Sequence, residues 1–112
     1  MALYADESGF NKMTPEQQQQ GYASYMAYTE ALKTAGALVG SNRLRPSATA
    51  TTIRTTNGKT QVLDGPFAES KEQLGGYYLI DVPDLDAAIT IAKKLPVLQD
   101  GSIEIRPLLG RA

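Results

Sequence analysis

The sequence predicts a single α+β domain over residues 1–112, made of two split βαβ units with a β-hairpin inserted between them. Three observations carry this reading. Two amphipathic segments, Thr14 to Gly36 and Asp84 to Pro96, begin at capping residues and end at helix stops. Asn57-Gly58 separates two runs rich in β-branched residues, which is the strongest short-range signal for a hairpin. Tyr77 to Val82 is apolar on both faces, as a central strand is. The order is strand, helix, strand, hairpin, strand, helix, strand, with both helices expected on one face of an antiparallel sheet.

Ala2 to Asp6 fits a short first strand, although a strand starting at the initiator Met is abrupt and a clipped longer strand is one explanation. Glu7 to Met13, with Gly9 and Asn11, reads as a loop. Thr14-Pro15-Glu16-Gln17 then supplies an N-cap, a first-turn proline and the far partner of a capping box, so a helix runs from there to Ala35 and Gly36 closes it. Tyr22, Tyr25, Met26, Thr29 and Leu32 recur at helical spacing and form its expected packed stripe, facing the core or a dimer interface. Ala37 to Val39 starts a strand that Gly40, Ser41 and Asn42 interrupt, the pattern of an edge strand or bulge.

The hairpin spans Thr49 to Thr56 and Lys59 to Leu63, and its two-residue turn fixes the register: Thr56 opposes Lys59, Ile53 opposes Val62, and Thr51 opposes Asp64. Asp64 therefore shares a face with Ile53 and Val62, and points inward if they do. Gly65-Pro66 turns the chain, Phe67 is the expected anchor of the loop to the core, and Ala68 to Leu74 forms a short helical turn. Gly75-Gly76 gives a tight entry to the strand Tyr77 to Val82, which Pro83 ends. Asp84 caps the second helix, with Leu85, Ala88, Ile89, Ala92 and Leu95 as its stripe. Ser102 to Pro107 alternates, placing Ile103 and Ile105 under the helices and Glu104 and Arg106 on the other face of the sheet.

Composition narrows the function. Eleven basic and twelve acidic residues give a net charge of −1, with no basic stripe, so nucleic acid and membrane surfaces are not expected partners. No apolar run is long enough to span a bilayer and no signal pattern follows Met1, which points to a cytoplasmic protein. The chain has no cysteine and no histidine. That excludes thiolate nucleophiles, imidazole bases and the usual zinc ligand sets, and leaves carboxylates, Lys, Tyr, Arg and backbone amides for any chemistry. No cofactor is expected. Asp81, Asp84 and Asp86 match no calcium-loop spacing, and no metal site is expected.

With both helices on one face, the other face of a small sheet is bare although its central strand is apolar there. A two-fold homodimer packing two such sheets face to face covers it. Asp64, Glu104 and Arg106 would reach the cleft so formed. Asp64 is the candidate general acid or base, against the plainer reading that an Asp before Gly-Pro caps its own turn. Arg45, Lys71 and Arg106 are candidates to hold an anionic group, and Tyr77 or Tyr78 to donate a proton, with Glu104 beside them.

Asp64-Gly65-Pro66-Phe67-Ala68-Glu69-Ser70-Lys71-Glu72, followed by Leu74-Gly75-Gly76-Tyr77-Tyr78, resembles the signature of DGPF-domain proteins within the YCII-related family. The likeness extends through Ala50 to Arg54, Asp81 to Ala87 and Glu104 to Pro107. It implies a ferredoxin-like dimeric α+β barrel, mostly bacterial and often encoded beside extracytoplasmic-function sigma factors. It implies no settled activity. The His-Asp pair proposed for YCII-like relatives would fall near Tyr25 and Thr34, and a chain without histidine does not carry it. Two functional readings remain open: a module binding a small polar or anionic metabolite, with a protein partner in transcriptional control, and a small lyase, isomerase or hydrolase using Asp64.

Overall fold

The computed structural model describes residues 1–68 and 70–109. A four-stranded antiparallel sheet has the order β2-β5-β1-β6, formed by β1 (Ala2–Ala5), β2 (Leu38–Arg43), β5 (Gln73–Ile80) and β6 (Gly101–Glu104). Helix α2 (Pro15–Thr34) connects β1 to β2 with β5 lying between them, and α3 (Leu85–Ala92) connects β5 to β6 with β1 between them. These are two interleaved split βαβ units, a ferredoxin-like α+β arrangement. The inserted hairpin, β3 (Thr51–Thr56) and β4 (Lys59–Asp64), forms a separate two-stranded sheet.

Both helices lie on one face. The Tyr28 ring of α2 meets Tyr78 of β5 edge-on at 5.5 Å, and the Thr29 and Tyr78 hydroxyls share a hydrogen bond of 2.9 Å. The Tyr28 hydroxyl donates to the Ile91 carbonyl of α3 at 2.8 Å. Leu3, Leu32, Tyr78, Leu95 and Val97 form the core beneath them, with Leu95 the most enclosed at 2% exposure. A 3-10 turn over Pro96–Gln99 carries Val97 in and leads to β6.

The caps form as their residue types require. Thr14 accepts from the Gln17 amide at 3.1 Å while Gln17 Oε1 accepts from the Thr14 amide at 3.0 Å, and Gly36 leaves the helix at φ 74°. Asp84 accepts from the Ala87 amide at 2.8 Å. Asn57 and Gly58 both have positive φ, and the hairpin register is the expected one throughout.

Several expectations are corrected. Glu7–Asn11 is a short helix, α1, rather than a loop; Asp6 Oδ1 accepts from both the amide and the hydroxyl of Ser8 and starts it. The packed stripe of α2 is rotated toward Tyr25, Tyr28, Thr29 and Leu32, leaving Tyr22 and Met26 exposed, with Arg43 lying 5.1 Å over the Tyr22 ring. The expected helical turn over Ala68 to Leu74 includes Glu69, which lies outside the described residues; the described residues of that stretch form no helix, and β5 starts at Gln73. Gly76 is thus inside the strand, where a Cβ would stand 2.9 Å from the Asn42 carbonyl oxygen of β2; close approach of backbone, not a turn, requires glycine there. Phe67 is 72% exposed and anchors nothing to the core; the Arg54 guanidinium lies 5.3 Å over its ring instead. β6 ends at Glu104, short of Pro107.

Candidate functional site

Register decides which side chains share the bare face of the sheet. Leu3 is in the core, so its neighbours Ala2 and Tyr4 face the other way, and the residues paired with them follow. Tyr4 pairs with Leu74 and with Ser102, and Ala2 with Tyr77 and Glu104. A bulge at Leu3/Tyr4 keeps Leu74 and Tyr77 on one side despite the three-residue interval. Tyr4, Leu74, Tyr77, Ser102 and Glu104 therefore line the open face, and the Tyr77 hydroxyl accepts from Asn42 Nδ2 at 2.9 Å.

At the Tyr4–Leu74 end of this face the chain builds a groove of about 800 Å³. Its floor is Tyr4, Leu74 and Ser102; one wall comes from the stretch between Leu44 and Thr52, and the other from Pro66, Phe67, Ala68, Ser70, Glu72 and Gln73. The first wall is shaped by Pro46, which ends the β2 pairing and opens a 3-10 turn over Ser47–Thr49. The Pro46 carbonyl accepts from the Thr49 amide at 2.9 Å and the Thr49 hydroxyl at 2.7 Å. The two walls are joined at the hairpin base by Gly65, whose amide donates to the Ala50 carbonyl at 2.8 Å and whose carbonyl accepts from the Thr52 hydroxyl at 2.8 Å. Its φ of 102° is one that only glycine takes without strain.

The groove is mainly apolar, through Leu44, Pro46, Pro66, Phe67 and Leu74, with Arg45 and Glu72 as its charged lining residues. Glu72 is held by Ser102, whose hydroxyl donates to it at 2.7 Å. Arg45 makes no ion pair with another described residue. A guanidinium in a mainly apolar groove is suited to bidentate capture of a carboxylate, sulfonate or phosphate. A second, shallower depression of about 620 Å³ lies between α2 and the end of α3, with Ser24, Lys93, Lys94 and Gln99 as its polar lining.

Of the residues singled out in the sequence, Arg45 and the Pro66-Phe67 part of the signature meet in the groove. Asp64 does not line it: the carboxylate is exposed at the end of β4, opposite Thr51, and no hydrogen bond or ion pair joins it to another described residue. Its hairpin face is turned to solvent, Ile53 and Val62 each being 68% exposed. Lys71 is exposed outside the groove, where its charge, after the two Ser8 hydrogen bonds, contributes to holding the Asp6 carboxyl below its ordinary range. Tyr77 faces the open side, whereas Tyr78 is buried under the helices with Thr29. Glu104 lies two residues beyond Ser102 on β6 and forms a 2.8 Å ion pair with the exposed Arg106.

Tyr4, Glu72 and Ser102 carry no local signal in the sequence, since only contacts between distant segments place them together. Among the described residues, no group of three or more acidic side chains converges in a way that would hold a metal ion, and no helix is long and apolar enough to cross a membrane.

The family model of the YCII-related domain matches residues 1–110. The chain belongs to the YCII-related family. Its relatives include an uncharacterized protein of Rhizobium meliloti (strain 1021), 41% identical over 107 residues that cover 94% of this chain and 86% of that protein. The groove of this YCII-related domain is thus the part of the molecule whose chemistry has to be explained from its own residues.

Proposed function

We propose that this YCII-related domain is a cytoplasmic binding module that takes a small anionic metabolite with an apolar body in the groove beside the DGPF signature. The observation that carries the reading is the groove itself, mainly apolar, with an arginine that makes no ion pair with another described residue. The signature contributes Pro66 and Phe67 to one wall, and the turn geometry of Gly65 closes the hairpin base behind them. A regulatory role beside sigma factors fits such a module, since ligand occupancy of an exposed groove alters the surface a protein partner meets.

The same proposal includes a homodimer. Leu74 is 40% exposed and shares the open face with Tyr77 and Leu79, while the helices cover only the opposite face. A second copy packed there would bury this apolar surface and turn the groove into a more enclosed cleft. The alternative, an acid–base enzyme working through Asp64, draws less support, because that carboxylate lies outside the groove and faces solvent.

The test is a thermal-shift screen of anionic metabolites against wild type, Arg45→Ala and Asp64→Asn at one protein concentration. A ligand at a hundred times its dissociation constant adds roughly 2.7 kcal/mol, or roughly 10 °C in a domain this size. Stabilisation of wild type and Asp64→Asn but not Arg45→Ala is expected. Equal stabilisation of Arg45→Ala, or selective loss in Asp64→Asn, would overturn the reading.

A further inference from the structure

Glu7 does not line the groove, yet it touches both of its walls. Its Oε1 accepts from the Ser47 amide at 2.7 Å and its Oε2 from the Ser47 hydroxyl at 2.8 Å, forty residues along the chain. Its own amide donates to Gln73 Oε1 at 3.1 Å, and Gln73 Nε2 donates to the Ser70 carbonyl at 2.5 Å. Ser47 belongs to the wall that carries Arg45; Ser70 and Gln73 belong to the wall that follows the signature. One residue at the start of α1 therefore ties the two walls together, through its side chain on one side and its backbone on the other.

The chemistry of the contact supports a geometric role. Both Glu7 oxygens are occupied by Ser47 donors, Glu7 is partly buried, and no ion pair joins it to a described residue. A carboxylate accepting two hydrogen bonds from one residue fixes that residue's position and orientation more tightly than a single neutral contact does. Ser47 is two residues from Arg45, across the rigid Pro46, so fixing Ser47 limits where the guanidinium stands.

We infer that Glu7 is the positioning residue of the groove, holding the Arg45 wall at the distance from the Ser70 and Gln73 side of the groove that an amphipathic anion requires. The inference rests on the binding reading proposed above. The ligand class follows from the two walls: a flat apolar body between Leu44, Leu74 and Phe67, with a carboxylate or sulfonate at Arg45.

The probe is 8-anilino-1-naphthalenesulfonate, which has that composition, titrated by fluorescence into the full chain. Arg45→Ala and Leu74→Glu test the groove, and both are expected to weaken binding at least tenfold. Glu7→Ala is expected to weaken it about tenfold and to speed amide exchange at Ser47. Glu7→Gln should stay within about threefold of wild type, because its amide oxygen still accepts from the Ser47 amide and the Ser47 hydroxyl can turn to accept from its nitrogen. Thr14→Ala, which removes a helix cap away from the groove, controls for stability and should leave affinity unchanged. If Arg45→Ala and Leu74→Glu lose the probe while Glu7→Ala binds as wild type does, the positioning role is wrong and the groove stands. If Thr14→Ala weakens binding as much as Glu7→Ala, the effect is one of stability and the inference falls. If none of the variants changes probe binding, the groove reading fails and takes the inference with it.

Discussion

Gly101→Ala perturbs the junction on which the groove floor rests. Gly101 opens β6 opposite Ala5, and a Cβ there would collide with the Tyr4 carbonyl oxygen while standing 2.9 Å from Val97 Cγ2 and 3.1 Å from the Val97 carbonyl oxygen. Two of these three atoms are backbone, so no rotamer change relieves the contact; β6 has to move away from β1. Forced overpacking costs about 1–3 kcal/mol, and weakening one or two ladder hydrogen bonds adds about 0.5–1.5 kcal/mol each. The opposing gain from replacing a strand glycine is about 0.5–1 kcal/mol, too small to compensate. A net loss of about 2–4 kcal/mol is expected, which lowers Tm by roughly 8–16 °C. Gly21→Ala is the matched control: it lies within α2 with no heavy atom within 4 Å of the added Cβ, and alanine's helix propensity should raise stability by about 1 kcal/mol. Circular-dichroism melts of the three proteins at one concentration read both effects. A Gly101→Ala melt within 3 °C of wild type would refute the β1–β6 packing described here.

Other perturbations follow from single contacts. Tyr28→Phe removes the hydrogen bond to the Ile91 carbonyl and should cost about 1 kcal/mol in urea unfolding. Burial pushes the Tyr25 and Tyr28 phenols from 10.0 up to about 12 each, so the folded chain holds these protons more tightly than the unfolded chain does. Their stabilisation is complete below pH 10 and is lost as pH rises from 10 toward 12. Two pKa units would be nearly 3 kcal/mol in a sealed site, and partial solvation of both rings reduces this to about 1 kcal/mol each. Melts from pH 9 to 11 should fall more steeply in wild type than in Tyr28→Phe; equal slopes would contradict this. Asp64→Asn, at an exposed position without a described partner, should change stability by less than about 0.5 kcal/mol, whereas a larger drop would restore the carboxylate's role as a turn cap. Leu79→Arg, on the open sheet face, should halve the mass seen in sedimentation velocity if that face is the dimer interface, and an unchanged dimer would exclude it.

The parts of the fold that were legible in the sequence are those set by local chemistry. Thr14, Pro15 and Gln17 define the start of α2, Asp84 defines that of α3, and Asn57-Gly58 fixes every pair of the hairpin. What escaped depends on contacts between distant segments. Gly9 and Asn11 are poor helix formers, and α1 is joined to the domain by the bonds of Glu7 to Ser47 and Gln73. Gly75-Gly76 reads locally as a turn; only the approach of the Asn42 carbonyl explains why β5 needs glycine at position 76. At the candidate site, Arg45 and the Pro66-Phe67 pair were visible as a charge and a signature. Tyr4, Ser47, Glu72 and Ser102 were not, because neutral or common residues become part of a groove only through strand register and long-range hydrogen bonds.

The most direct measurement is a two-dimensional NMR titration of the labelled chain with the naphthalenesulfonate probe. Amide shifts confined to Ser47, Thr51, Phe67 and Leu74, and lost in Arg45→Ala, are the predicted result. Shifts centred on Asp64 and the hairpin tip, or beside Lys93 and Lys94, would contradict a binding function for the groove.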